Sequence, residues 1–279
     1  MKEKQPIFML VLMVLLLVPA AGYCDQEQDF IEQVGNGSIN WSQGIIQGKG
    51  IGAPPEKDYG KPHARPLALR AAKLDALRNI LEVVNGVRID STTVVRDFAI
   101  ESDIIMTKVE GMVRGARQVK QEYLSDGTVE IIMAVDMRGG FAQLVLPQDI
   151  KQVEPITAMV PAQKASGVLT GLVVNAKGLN VRPAMAPKIL DENGQEVYGS
   201  AFVSREYAVQ QGMSGYGKNL IEAQRNPRVT DNPLTVKGLR TEGPGRSDIV
   251  ISNADAARLK NASEHLSFLK KCRVMIVVD

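Results

Sequence analysis

The strictest alternation of apolar and polar positions lies near the middle of the chain, where Val129, Ile131, Met133, Val135 and Met137 occupy every second place. That period belongs to a strand with one buried face. Asp126-Gly127 just before it is a favoured turn pair, so GMVRGARQVKQEYLSDGTVEIIMAVDM (111–137) reads as a hairpin. A helical period runs from Pro66 to Asn85: Leu67, Ala71, Leu74, Leu77, Leu81 and Val84 recur along one face, while Lys73, Asp75, Arg78, Asn79 and Glu82 take others. Pro66 suits a first helical turn and Gly86 the position past the last. Such a stripe asks for a sheet or a helix to cover it. INWSQGIIQGKGIG (39–52) ahead of the helix reads as extended, and DFAIESDIIMTKVEG (97–111) as a short second helix running into a strand. Residues 38–145 are thus expected to form an α+β domain, one long helix packed on an antiparallel sheet.

PQDIKQVEPITAMVPAQKASG, with three prolines and little periodicity, places a linker over 146–167. A second α+β domain, built on a mixed sheet, follows over 168–279. GVLTGLVVNAKG predicts a strand, and PKILDENGQEVYG a hairpin about its DENG turn. Residues 207–247, rich in Gly, Asn and Pro, read as long loops with short elements. DIVIS (248–252) is a buried-type strand, Asn253 is placed to cap a helix from Ala254, and RVMIVVD closes the chain as another strand. A strand-helix-strand unit with two such apolar strands is expected to set them parallel.

The amino terminus bears on compartment. Lys2 and Lys4 precede twelve apolar residues, Ile7 to Val18, and then Pro19-Ala20-Ala21-Gly22. This is the three-part pattern of a signal peptide over 1–22, too short to span a bilayer. Export to the periplasm or outer membrane is the expectation. Cys24 raises lipidation as a rival, against which Tyr23 stands where a small residue is wanted. Removing the leader takes two lysines and one glutamate from 33 basic and 31 acidic side chains, leaving 31 and 30. A chain so close to neutral has no electrostatic footprint for nucleic acid. The two cysteines, Cys24 and Cys272, are candidates for a disulfide in an oxidising compartment; alternatively Cys272 packs in a core, sharing strand parity with Val274, Ile276 and Val278.

Candidate chemistry is sparse. Gly48-Lys49-Gly50 resembles a phosphate loop, but only three residues separate Gly44 from Gly48-Lys49, and Gly50 stands where a hydroxyl should hold magnesium. A dinucleotide loop fails too, because Gly48, Gly50 and Gly52 alternate and Pro54-Pro55 follow. Alternating glycines instead thin one face of a strand for a close neighbour. His63 and His265 have no ligand cluster around them, so neither a catalytic nor a metal or cofactor site is expected. The densest polar run is VSREYAVQQGMSGYGK (203–218). It reads as a partly exposed strand end with an Arg–Glu ion pair or, functionally, as a recognition loop presenting Arg205, Glu206, Tyr207 and Tyr216.

The helix ARPLALRAAKLDALRNILEVVNGVRI, with the GMVRGARQV and TVEIIMAVDM strands, resembles the amino-terminal domain of flagellar assembly protein T and the related Lpp-twenty-type envelope lipoproteins over about residues 38–140. That resemblance implies a non-enzymatic envelope domain that packs against neighbours near the outer membrane or the flagellar basal body. The leading expectation is a structural or assembly protein acting on envelope partners. The alternatives are a periplasmic small-ligand binder with a pocket between its domains and, last, a hydrolase using Ser204.

Overall fold

The computed structural model describes residues 29–150, 169–261 and 267–279. The signal segment, Cys24, His265 and most of the linker lie outside the described residues. Five strands, β1 (Ile31–Val34), β2 (Gly37–Asn40), β3 (Ile45–Gly52), β4 (Arg117–Tyr123) and β5 (Val129–Asp136), form an antiparallel sheet in the order β1-β2-β3-β5-β4. One face carries the 22-residue helix α1 (Ala64–Asn85). This is the expected helix-on-sheet arrangement, begun one strand earlier than residue 38.

The helix lies on the sheet by a different face than its leucines suggest. Ala64, Ala68, Ala72, Ala76, Ile80, Val83 and Val84 are buried, whereas Leu67 and Leu74 are 38% and 61% exposed; of the expected stripe, Val84 is buried and Leu77 and Leu81 pack partly against the core. The cause is the glycine row of β3. A Cβ at Gly50 would stand 2.1 Å from the Ala72 carbonyl oxygen, one at Gly52 2.1 Å from that of Ala68, and one at Gly48 2.8 Å from that of Ala76. At Gly50 and Gly52 backbones this close leave room for methyl groups and nothing larger, while Gly48 makes room for the Ile80 side chain. Val129, Ile131 and Met133 of β5, paired with Gly52, Gly50 and Gly48, bury their side chains beside the seam. Where β2 ends, the helix also satisfies the strand backbone: Asp75 accepts from Ile51 N–H at 2.9 Å, and the Asn79 amide donates to Lys49 O at 2.7 Å.

Residues 97–111 belong to two helices, α2 (Val95–Ile100) and α3 (Asp103–Arg114), rather than a helix and a strand. Ile100, Ile104 and Met106 stay exposed there. After β5 a short helix, α4 (Gly140–Val145), buries Phe141, Ala142 and Val145, and Leu146 and Ile150 follow it into the core. The first residues of the expected linker are therefore packed.

The second sheet has seven strands: β6 (Gly171–Asn175), β7 (Ile189–Leu190), β8 (Glu196–Tyr198), β9 (Gly215–Gly217), β10 (Pro233–Glu242), β11 (Asp248–Ile251) and β12 (Val274–Val277), ordered β8-β7-β11-β10-β6-β12-β9. It is mixed, as expected, and the DENG turn joins the antiparallel β7 and β8. Both faces are covered, so β6, β11 and β12 read as unbroken apolar runs. Val173, Met275 and Val277 face α6 (Leu220–Arg225), while Leu172, Val174, Val274 and Ile276 face the main core.

Two expectations fail here for topological reasons. β11 and β12 are not parallel neighbours: β10 and β6 lie between them, and the pairing directions make them antiparallel. The 207–247 region contains β10, the longest strand of the sheet, whose Gly238 and Pro233 disguised it as loop. The cap of α7 (Asn253–Asn261) is also one residue earlier than expected, since Ser252 Oγ accepts from Asp255 N–H and donates back to the Asp255 carboxylate. A last short helix, α8 (Ser267–Lys270), leads into β12.

Candidate functional site

The two sheets meet along a seam built mostly by residues that sequence reading passed over. Arg88 follows α1 between buried Val87 and Ile89, and is itself 5% exposed. Its guanidinium donates to the Glu32 carboxylate at 2.5 Å and to the Pro183 carbonyl at 2.8 Å, and stacks 5.6 Å from the Trp41 ring centroid. Trp41 Nε1 donates to the same Glu32 oxygen at 2.8 Å, and its ring meets Tyr216 edge-on at 5.8 Å. A buried cation is thus held by a carboxylate, a carbonyl and an aromatic face, the set that removes the penalty of its desolvation. Backbone bonds reinforce the join: Met185 and Ala186 N–H donate to the carbonyls of Arg88 and Ile89, and Gly245 N–H to that of Ser91. Ser91 Oγ donates to Asp248 at 2.6 Å.

The residues of the expected recognition loop separate. The segment is a helix, α5 (Arg205–Gln211), followed by β9, and not a strand end. Arg205 turns inward and donates to the carbonyls of Pro147 (2.7 Å) and Gln143 (2.9 Å), tying the end of α4 to the second domain. It makes no ion pair with Glu206, which points outward, and Tyr207 is half-buried against the core. Tyr216 is buried, and its hydroxyl donates to Ala184 O at 2.8 Å and accepts from Ala184 N–H at 3.0 Å. Arg205 and Tyr216 are therefore parts of the domain junction, not a displayed surface. Ser204 is buried at the start of α5, with its N–H on the Lys270 carbonyl. Lys61, at 3.0 Å, and then His63, at 3.1 Å, hold the Asp58 carboxyl below its ordinary range. Cys272 is buried, with no disulfide partner among the described residues, and burial pushes its thiol up to about 12. Its proposed partner Cys24 lies outside the described residues.

Beside the seam lies a cavity of about 50 Å³. Trp41, Met137, Ala142, Leu146, Met185 and Tyr216 supply most of its wall, and Arg138 and Arg228 enter it from the two domains. Arg228 donates to the carbonyls of Gly212 (3.1 Å), Cys272 (2.8 Å) and Gln211. Burial pushes its guanidinium down from the usual range; Tyr198 and Cys272 oppose that, and the like charge of Arg138 adds to it. Among the described residues no carboxylate lies within ion-pair distance of either guanidinium, and no group of His, Cys, Asp and Glu is arranged to hold a metal.

A second feature faces solvent. Leu67, Leu74 and Leu81 lie seven residues apart along α1, opposite the alanine face, the first two exposed and Leu81 partly buried against the core, with Arg70, Lys73 and Arg78 exposed beside them. At the Leu81 end, Ile100, Met106 and Val109 complete a shallow groove. The outer face of the helix is a leucine row with a basic border.

The second sheet begins at Gly171 and runs to the end of the chain. Residues 171–279 match the family model of the Treponema pallidum Tp0624 second domain. This Tp0624-like region contains β6 to β12, with Tyr216 and Arg228, while Trp41, Arg88 and Arg138 lie outside it. The match is to a bacterial protein family, and it gives the resemblance of residues 38–140 to flagellar assembly protein T and the Lpp-twenty lipoproteins no support. No curated protein matches the chain.

Proposed function

We propose that the protein is a non-enzymatic component of a bacterial cell envelope that acts through protein contacts, its two domains working as one unit. The observation that carries this reading is the leucine row of α1. Leu67 and Leu74, seven residues apart, stand in water on a helix whose other face is fixed to the sheet, with Leu81 partly buried at the end of the row, and exposed apolar side chains of this kind mark contact surfaces. The basic border formed by Arg70, Lys73 and Arg78 suits a partner with acidic residues flanking its apolar contact. The leader-like pattern of residues 1–22 supports an exported protein, placed in the periplasm or against the outer membrane, and the family match of the second domain supports a bacterial source. Among the described residues no helix is long and apolar enough to cross a membrane.

A photo-crosslinking residue at Leu74, introduced in the intact cell, tests it. An adduct with an envelope protein, abolished by Leu67→Glu, is the expected result. Recovery of the protein from the cytosol with an uncleaved amino terminus, or no adduct at Leu74, would overturn it.

A further inference from the structure

The seam cavity brings together two cations without an anion. Each arginine side chain lies near a glycine that lines the cavity: a Cβ at Gly44 would be 3.1 Å from Arg138 Nε, and one at Gly215, which would first meet Met275 Sδ at 2.5 Å, would be 3.0 Å from Arg228 Nε. Of the five N–H groups of Arg228, three are taken by the carbonyls of Gln211, Gly212 and Cys272, which leaves two. Arg138 has no side-chain partner among the described residues. Ser214 Oγ, also on the cavity wall, is buried beside the Tyr216 phenol without a hydrogen bond of good geometry to it or to any other described group. Two arginines facing one space repel one another, and an anion between them removes that cost.

We propose that this cavity binds a small organic carboxylate, its head group between Arg138 and Arg228 and its short apolar group against Trp41 and Met185. The volume of about 50 Å³ holds roughly three or four water-sized positions, the scale of a carboxylate bearing two or three carbons. The apolar wall decides the class, because Trp41, Met137, Ala142, Leu146 and Met185 suit an alkyl group and solvate a second negative charge poorly. Inorganic phosphate is disfavoured on that ground. The site needs both domains, since Arg138 and Trp41 come from the first and Arg228 and Ser214 from the second. This goes beyond the contact role of α1, which lies on another face.

Trp41 is the single tryptophan of the chain and lines the cavity, so its fluorescence reads occupancy directly. Titration of the full chain with sodium propionate, against sodium chloride at equal ionic strength, is expected to give a saturating change that uncharged propionamide does not. Arg138→Gln should weaken it at least tenfold with the urea midpoint unchanged, and Arg138→Lys should restore part of it. A linear, unsaturated response in the wild-type protein would overturn the proposal, as would equal affinity in Arg138→Gln. Tighter binding of phosphate than of propionate would assign the cavity to inorganic anions and overturn the carboxylate class.

Discussion

Adding one methyl group at Gly50 tests the account of the first domain. In Gly50→Ala the new carbon falls 2.1 Å from Ala72 O, 2.3 Å from Ala76 N and 2.7 Å from Ala76 Cβ. Two of those three atoms are backbone of a helix interior, so no rotamer change relieves the contact. Ordinary contact begins at 3.4 Å, and the helix must therefore retreat by about 1.3 Å over its central turns. Overpacking alone costs about 1–3 kcal/mol. A retreat of that size also opens the rungs at Gly48 and Gly52, where a gap of even ~1 Å forfeits about half of each dispersion contact. The sum is a loss of about 3–5 kcal/mol, a large part of a typical total stability of roughly 5–15 kcal/mol. Urea unfolding followed by Trp41 fluorescence measures it, and the midpoint is expected to fall by more than about 1 M. Gly111→Ala is the matched control: it is exposed within α3, with no atom within 4 Å of the new methyl, and should gain about 0.5–1 kcal/mol from helix propensity. A Gly50→Ala midpoint within about 0.3 M of the parent would refute the close-approach argument.

The remaining predictions concern the seam. Arg88→Met leaves Glu32 without its cation and should cost about 3 kcal/mol; adding Glu32→Gln should recover part of that, and a double-mutant cycle on urea midpoints reads the coupling. Arg205→Ala removes two charge-assisted bonds to carbonyls, with an expected loss of about 2–3 kcal/mol and faster limited proteolysis near Pro147, whereas an unchanged cleavage rate would show that α4 is held by other contacts. Burial raises Cys272 from 9.0 to about 12 and Tyr216 from 10.0 to about 12, so the folded state holds these protons more tightly than the unfolded chain. Their contribution to stability is complete below pH 9 and is lost as pH rises from 9 towards 12. Urea midpoints at pH 8, 9.5 and 10.5 should decline, less steeply in Cys272→Ala; a flat profile would contradict the burial.

The elements with a clean period were legible, and those whose fate depends on a neighbour were not. Val129, Ile131, Met133, Val135 and Met137 took alternate places in the sequence and are all buried, with Ala134 the one intervening residue buried among them. The α1 helix was legible as a helix, but over its first half, at Leu67, Ala71 and Leu74, the buried side was misassigned. Leucine outweighs alanine in any hydrophobic count, and only the spacing of glycines on another element shows that alanine is the residue that fits. The glycines themselves had already excluded a phosphate loop. β10 was missed because Pro233 begins it and Gly238 interrupts it at a bulge, both of which local reading takes as loop. The strand-helix-strand expectation failed because local patterns do not fix which strands enter between two others. Of the seam, the sequence showed one signal that was not used. A lone arginine inside VRI, between two residues fated for the core, announces a buried charge that must find a partner. Arg138 and Arg228, 90 positions apart, carried no such signal, and only the fold places them on one cavity.

The glycine row of β3 works as a vernier. Two strand residues advance about 6.8 Å and one four-residue step of helix about 6.0 Å, so successive teeth drift apart by ~0.8 Å. Gly52 meets Ala68 and Ala72, Gly50 meets Ala72 and Ala76, and Gly48 meets Ala76 and Ile80. By the third tooth the accumulated offset is about 1.6 Å, and there the row ends, with a full isoleucine at position 46. Three teeth are therefore close to the longest such seam that straight elements allow. The scale also limits how the domain can change length. A single-residue insertion in either element puts side chains where the other needs glycine or alanine, and only a two-residue insertion in the strand matched by a four-residue insertion in the helix keeps the marks aligned.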